Sequence, residues 1–414
     1  MDLEDAFTVV DTPVYLSGQS DDALVRQVQQ RKEFSPPRAA LSPATGLEEG
    51  IFLRPLEALH WLTYVTRPRY QDDVLDRYLW WGLLRYLGFF THDYSHSRLP
   101  KLAVSDAGHR IAGNQRRVTS EEMGIAFGAA LAARWFDDTS TATLRTVVDI
   151  DVALDARFVF GSSAAVEHIG TRRPDYLLIG GDRRDRSRCV LRVLECKGTK
   201  NPGNAVPQLA RAVGQLDGVT VGGRAPRGLA TSMVTGESRT SYLALDTEDE
   251  DDEPSYEVTA ETIDRVKSFR FESDRVDVSA AEITSASIRA SWATLADFGG
   301  NLEAIQLWAP EVMQNRMQRR PRERVTFETP VGTARGTSLV FGFGRERLTV
   351  RYGIAARVDE QLTGGSAGAV MEAQQEFADQ LQEWRDSERP PASREVYSAT
   401  ADGTVFSLTH GDRG

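Results

Sequence analysis

The sequence predicts a mixed α/β (α+β) fold made of three consecutive parts. Two apolar runs, Tyr176 to Ile179 and Cys189 to Leu194, flank a glycine-containing turn in the pattern of a β-hairpin. Apolar residues recur at helical spacing both before and after this hairpin. Seven of the eight residues from Asp246 to Glu253 are acidic, as in a charged linker. We therefore predict an N-terminal region over residues 1–115, a core over 116–245 and a C-terminal region over 255–414.

The composition indicates a globular chain with an uneven distribution of charge. A length of 414 residues predicts about two or three domains, and a hydrophobic content of 41% is enough for sizeable cores. A formal net charge of −11 argues against a protein that coats nucleic acid with its whole surface. Between Thr171 and Lys200, however, nine basic residues stand against four acidic ones. This local excess is compatible with a site that binds phosphate.

The sequence also predicts a cytoplasmic protein without a membrane partner. No run of eighteen apolar residues occurs, and the acidic start of the chain differs from a secretory signal. The two cysteines, Cys189 and Cys196, are seven residues apart in one predicted strand and project from opposite faces. We expect them to remain unbridged.

The N-terminal region is predicted to be mainly helical. Helices are expected over residues 55–65 and 72–90, and their tryptophans favour core packing, or contact with a protein partner or second copy, over stacking on bases. His92 and His96 have the helical spacing of some zinc ligands, but no zinc-protease glutamate or cysteine accompanies them. A polar helix end is the preferred interpretation.

Charged residues around the hairpin carry the functional hypothesis. Glu195 and Lys197 share one strand face, about 7 Å apart along the chain, since side chains alternate along a strand. Asp175 comes beside Glu195 if the two strands pair about the turn. These two carboxylates and the backbone carbonyl of Cys196 are suitable ligands for Mg²⁺. Lys197 would then orient or help deprotonate the attacking water and offset phosphate charge. In the alternative interpretation, the charges of an exposed hairpin are simply solvated.

This arrangement resembles the PD-(D/E)xK nuclease superfamily. The resemblance rests on Pro174-Asp175, nineteen intervening residues and Glu195-Cys196-Lys197 at the end of an apolar strand, and it covers roughly residues 116–245. It implies a restriction-endonuclease-like αβββαβ core and a metal-dependent endonuclease that uses Mg²⁺, with Mn²⁺ as a substitute. RecB-like members carry an aromatic residue after a helical glutamine, and Ala212 stands where it is expected. That difference leaves the branch and the substrate open.

The resemblance adds two helical positions to the expected site. Members often carry a metal-binding glutamate on the helix before the first core strand. Thr119 and Glu122 fit a capping box, so Glu121 is the first choice for this catalytic ligand and Glu122 the reserve, although a glutamate in a first helical turn is also favoured by the helix dipole alone. Several branches use a glutamine on the helix after the motif, which implies a catalytic role for Gln208. A surface glutamine is the commoner alternative.

The C-terminal region is predicted to be an α+β module for recognition or oligomerisation. The pattern favours a helix over residues 280–307, strands over 337–341 and 347–352, and an amphipathic helix marked by Val370 to Trp384. Five arginines between Arg316 and Arg324 either contact nucleic-acid phosphates or form a solvated helix end.

Taken with the resemblance, these patterns lead us to expect a Mg²⁺-dependent deoxyribonuclease. By analogy, such an enzyme acts in prokaryotic restriction or anti-phage defence. There are two alternatives. One is a catalytically inactive nuclease-like scaffold that binds protein partners, and the other is a nuclease directed at RNA.

Overall fold

The computed structural model confirms the mixed α/β class. It describes residues 2–66, 78–95, 99–151, 166–168, 172–185, 187–221, 223–236, 239–248, 255–266, 279–309, 323–343, 346–386 and 394–412. His96, which the sequence places at helical spacing from His92, and the arginines from Arg316 to Arg322 lie outside these residues. Within them, the chain forms twelve helices and sheets of eleven, five and two strands. None of the described helices combines the length and apolar character needed to cross a bilayer.

The described helices and strands have the following bounds. The helices are α1 (Leu3–Asp11), α2 (Asp22–Gln29), α3 (Pro55–Val65), α4 (Tyr78–Tyr86), α5 (Asp106–His109), α6 (Gly113–Thr139), α7 (Ala205–Leu216), α8 (Ala260–Val266), α9 (Ala280–Phe298), α10 (Leu302–Trp308), α11 (Ala356–Gly364) and α12 (Ala367–Asp386). The strands are β1 (Val14–Gln19), β2 (Ala40–Pro43), β3 (Gly50–Leu53), β4 (Phe90–Asp93), β5 (Lys101–Val104), β6 (Ala142–Asp149), β7 (Val166–His168), β8 (Tyr176–Asp182), β9 (Arg188–Thr199), β10 (Val219–Val221), β11 (Arg227–Thr235), β12 (Thr240–Glu248), β13 (Ser255–Glu257), β14 (Val325–Thr329), β15 (Gly332–Phe343), β16 (Glu346–Ala355), β17 (Glu395–Ala399) and β18 (Thr404–Asp412).

The eleven-stranded sheet is the centre of the molecule. Its main path runs β4-β5-β1-β12-β11-β9-β8-β6, and β2, β3 and β13 pair with strands along it. Strands β6, β8 and β9 form an antiparallel meander, in which β8 and β9 are the hairpin that the sequence predicts. Strand β11 then lies parallel to β9, and a parallel pair needs a crossover connection, which α7 provides. Along the chain, this part of the main sheet and its helices therefore come in the order α6, β6, β8, β9, α7 and β11, and the separate two-stranded sheet takes β7 and β10 from the connections between them.

Helices cover both faces of this part of the sheet, and β9 shows which residues face which helix. Leu194 and Cys196 belong to the same apolar cluster as Phe127 of α6. Val193 belongs to the other cluster, together with Leu209 and Val213 of α7. Because side chains alternate along a strand, Glu195 and Lys197 project on the same side as Val193, towards α7.

The N-terminal region contributes strands to the same sheet. Five strands from residues 1–115 join it, and β1 pairs in parallel with β12 of the predicted core. The boundary expected at residue 116 falls inside α6. These strands are only four to six residues long and contain polar residues, so their period is weak. His92 lies in β4 and not in a helix, and its Nε2 is 3.1 Å from the carbonyl oxygen of Val9. The polar helix end preferred for His92 is therefore wrong, and the helical spacing considered for a zinc ligand does not apply to it.

The C-terminal region forms an antiparallel sheet in the order β14-β15-β16-β18-β17, accompanied by α9 to α12. This sheet shares an apolar cluster with α3 of the N-terminal region. His60 of α3 is fully buried, with Nδ1 3.0 Å from Ser398 Oγ and Nε2 3.1 Å from Thr404 Oγ1. The two terminal regions are thus packed together.

Candidate functional site

Asp175, Glu195 and Lys197 lie together at one end of the β8–β9 pair. The backbone N–H of Asp175 donates to the carbonyl of Leu194 at 3.1 Å, which sets Asp175 opposite Glu195 just before β8 begins. Asp175 Oδ2 accepts a hydrogen bond of 2.9 Å from the N–H of Cys196. Lys197 Nζ forms an ion pair with Glu195 Oε1. The sequence placed these three residues side by side, and the strand register accounts for their meeting.

The backbone carbonyl of Cys196 is directed towards this cluster. A residue in an antiparallel ladder points its N–H and C=O to the same neighbouring strand. Since the N–H of Cys196 reaches Asp175, the carbonyl of Cys196 also faces the β8 side of β9. Strand β8 does not extend to this level, because it begins only at Tyr176. The side chain of Cys196 projects the other way, where a Cβ added at Gly128 of α6 would meet its sulfur. Cys189 and Cys196 are both buried and free, as predicted.

Burial and mutual repulsion dominate the electrostatics of the cluster. The side chain of Glu195 is 0% exposed and that of Lys197 is 26% exposed. Burial, followed by the charge of Asp175, raises the pKa of Glu195 to about 8, against the opposing effect of Lys197. Burial also raises the pKa of Asp175. Burial lowers the pKa of Lys197, but the charges of Glu195 and Asp175 outweigh that effect and raise it. At neutral pH, Lys197 is therefore an ammonium group, and Glu195 holds a proton more tightly than an ordinary glutamate does.

Two buried oxygen atoms on this side of the sheet lack hydrogen-bond partners among the described residues. They are Oε2 of Glu195 and Oε1 of Gln208, on the first turn of α7. A buried acceptor without a donor is unfavourable and calls for an explanation, such as a missing ion or water. Both atoms are hard oxygen donors of the kind that a divalent cation takes.

These donors fit a single divalent cation that keeps part of its water shell. Among the described residues, no group of three or more His, Cys, Asp or Glu side chains is arranged to hold a metal. Mg²⁺ needs fewer protein ligands, because one or two carboxylates with waters and substrate phosphate complete its octahedron. Asp175, Oε2 of Glu195 and the Cys196 carbonyl would hold the ion.

A solvent-reachable cavity of about 610 Å³ opens beside Asp175. Its wall is formed by the end of β6, the segment before β8 and one side of α7, with Asp149, Ile150, Asp151, Arg172, Arg173, Pro174, Asp175, Tyr176, Arg211 and Gln215 as lining residues. The charge of Asp149 adds to the upward shift of the Asp175 pKa. Three carboxylates and three guanidinium groups therefore line the space next to the cluster.

Sequence reasoning missed Asp149, Asp151 and Arg211. Asp149 and Asp151 follow the apolar residues of β6, just as Glu195 and Lys197 follow the apolar residues of β9. This repeated pattern was the signal in the sequence that could have identified them. Asp149 pairs in register with Tyr176, which brings the ends of β6 and β8 together. Arg211 lies one helical turn from Gln208 and from Gln215, on the side of α7 that lines the cavity.

The helical glutamate expected at the site lies elsewhere. Glu121 is 61% exposed, and its nearest ion-pair contact is Arg117 at 4.0 Å. Glu122, the reserve, accepts hydrogen bonds from Arg85 and from the Tyr86 hydroxyl. Helix α6 packs on the face of β9 that carries Cys196, opposite to Glu195. The structure brings neither glutamate to Asp175 and Glu195.

The capping box assigned to Thr119 and Glu122 is wrong. Helix α6 begins at Gly113, so Thr119 lies almost two turns inside it. The Thr119 hydroxyl donates to the carbonyl of Gln115 at 2.9 Å, as threonines within helices commonly do. The true start of the helix lacks a side-chain cap, so the sequence offered no strong signal there.

Comparisons with family models, with curated proteins and with solved structures found no match.

Proposed function

We propose that this protein is a Mg²⁺-dependent phosphodiester hydrolase of the PD-(D/E)xK type, acting on nucleic acid. The observation that carries the proposal is the meeting of Asp175, Glu195 and Lys197 beside an open cavity, with one buried carboxylate oxygen that has no hydrogen-bond partner among the described residues. The succession α6-β6-β8-β9-α7-β11 supports it, since this is the αβββαβ order that the sequence resemblance implies.

Asp175, Glu195 and the Cys196 carbonyl would hold the cation, and Mn²⁺ would substitute for Mg²⁺ in the same oxygen site. When bound, a divalent cation supplies Lewis-acid polarisation of phosphate and activation of water. Glu195 must lose its proton to bind the cation, because a carboxyl group binds a metal ion as the carboxylate.

Lys197 acts as a cation and not as a base in this proposal. Its raised pKa keeps the ammonium group protonated at neutral pH. From there it donates hydrogen bonds and balances the charge that develops on phosphate during attack. Gln208 contributes its Oε1, which has no hydrogen-bond partner in the part of the chain that the structure describes and would accept a hydrogen bond from a water in the site.

The proposal is tested by incubating the purified protein with plasmid, linear and single-stranded DNA and with RNA, in Mg²⁺, Mn²⁺ or EDTA. Cleavage is expected with either metal and not with EDTA. Asp175→Asn, Glu195→Gln and Lys197→Met should each lower the rate by about a hundredfold or more. Glu261→Gln, an exposed position on α8, is the matched control and should keep the wild-type rate.

Two results would contradict the proposal. The first is cleavage that survives both Asp175→Asn and Lys197→Met. The second is failure to cleave all four substrates with both metals. Circular dichroism of each variant shows whether a lost activity reflects a lost fold.

A further inference from the structure

The cavity beside Asp175 carries three arginines that the proposed chemistry does not use. Arg172 and Arg173 precede the motif, and Arg211 comes from the side of α7 that also carries Gln215. All three are exposed, and Arg173 and Arg211 retain 42% and 53% of their side-chain surface. Guanidinium groups bind phosphate oxygens through paired, charge-assisted hydrogen bonds.

The segment that bears Arg172 and Arg173 is held firmly against α7. Gln215 Nε2 donates to the carbonyl of Arg173 at 3.0 Å. The backbone of Arg172 also lies directly over Gly218, where an added Cβ would overlap the Arg172 carbonyl oxygen. The glycine therefore permits this close approach, and the two arginines are presented to the cavity from a fixed backbone.

Two of the arginines are occupied by carboxylates in the structure. Arg173 forms an ion pair with Asp151, which is 59% exposed and also lines the cavity. Arg211 lies 3.6 Å from Glu33. Arg172 has no ion-pair partner among the described residues. An exposed pair such as Arg173–Asp151 contributes little stability, so a ligand that offers stronger acceptors can displace Asp151. Glu33 keeps only 15% of its side-chain surface, but Arg211 is 53% exposed and lines the cavity, so its guanidinium group stays accessible to a ligand there.

We infer that Arg172, Arg173 and Arg211 form a phosphate-binding wall that holds the backbone of a nucleic-acid strand beside Asp175, and that Asp151 and Glu33 compete with this strand for two of the arginines. The inference rests on the proposed function and extends it to the binding of the substrate. The cavity of about 610 Å³ has the size of sites that enclose one small ligand, so one or two nucleotides occupy it. Contacts to the backbone carry no sequence information, so this wall binds without sequence preference.

The test is a binding titration in EDTA, where cleavage cannot occur. Fluorescence anisotropy of a labelled single-stranded DNA gives Kd at several salt concentrations, and an RNA strand of the same sequence shows whether the sugar matters. Arg172→Ala, Arg173→Ala and Arg211→Ala should each weaken binding by about tenfold. Each should also reduce the slope of log K against log salt by about 0.7 for the lost phosphate contact.

A matched control and two variants of opposite sign make the test specific. Arg134→Ala removes an arginine of similar exposure, paired with Asp138 on α6, and should leave Kd unchanged. Asp151→Asn and Glu33→Gln remove the competing carboxylates and should tighten binding several-fold. A variant that merely unfolds cannot bind more tightly, so these two variants exclude a general loss of structure.

The possible results separate this inference from the proposed function. Arginine-dependent binding without cleavage in any metal would support the wall and contradict the nuclease. If the protein cleaves and the three arginine variants of the wall have the same Kd as Arg134→Ala, the phosphate-binding wall is overturned and the proposed nuclease activity is not. Weaker binding after Asp151→Asn and Glu33→Gln would also overturn it.

Discussion

Replacing Glu195 with glutamine should change how the stability of the protein depends on pH. Glu195 is 0% exposed and carries a carboxyl group whose pKa is raised from 4.5 to about 8, first by burial and then by Asp175. The folded state therefore holds a proton that the unfolded state releases between these two pH values. The stability that Glu195 contributes is full below pH 4.5, declines as the pH rises and is lost above about pH 8. Glutamine has no proton to lose.

The size of the effect follows from the shift in pKa. Each pKa unit corresponds to about 1.36 kcal/mol, so the change from 4.5 to about 8 sets an upper limit of about 5 kcal/mol. Asp175 and Lys197 titrate together with Glu195 and take up part of this change. We therefore expect the free energy of unfolding of Glu195→Gln, relative to wild type, to rise by about 2 to 4 kcal/mol between about pH 5 and about pH 9.

Urea unfolding followed by tryptophan fluorescence, in EDTA and at several pH values, measures this difference. Glu261→Gln serves as the control, since that side chain is exposed, and its stability should follow wild type at every pH. A Glu195→Gln curve that runs parallel to wild type from about pH 5 to about pH 9 would refute the reasoning, because Glu195 would then be charged throughout the range.

Three further predictions follow from the same contacts. Binding of Mg²⁺ or Mn²⁺ should release about one proton per cation near pH 7, and fewer above about pH 9, because the cation displaces the proton held by Glu195. Calorimetry in two buffers with different ionisation enthalpies measures this release, and equal release at both pH values would contradict the prediction. Gly198→Ala should destabilise the fold by about 3 kcal/mol or more, since its Cβ would overlap the Ser120 carbonyl where α6 meets β9. Gly364→Ala is the control, because this exposed glycine at the end of α11 has no such neighbour; equal urea midpoints for the two variants would exclude the packing argument. Burial lowers the pKa of His60 to about 3, so its contribution to stability is full above pH 6.5 and falls by about 1.4 kcal/mol per pH unit as the pH drops towards 3. His60→Gln should therefore lose less stability in acid than wild type, as measured by urea unfolding, and an unchanged dependence of stability on pH would mean that the folded state holds a charged histidine.

The amino-acid sequence determined the local geometry of the candidate site. The alternation of β9 puts Glu195 and Lys197 on one face, and the turn between β8 and β9 sets the antiparallel pairing that brings Asp175 to Glu195. This turn follows Asp182, because Gly180 and Gly181, which the sequence pattern assigned to the turn, pair with β9 as part of β8. Both relations depend only on backbone geometry and on residues close in the chain. The mixed α/β class follows from the same periodic patterns, because each period is fixed by one kind of backbone.

The tertiary structure decided which elements surround the site. The face of β9 that carries Glu195 could have met α6 or α7, and the burial of apolar side chains from distant segments settled it in favour of α7. That choice leaves Glu121 on the surface and places Arg211 at the cavity. The tertiary structure also pairs β1 with β12, which are separated by more than two hundred residues of sequence. Such contacts depend on the burial of whole faces at once, so no local pattern in the sequence specifies them.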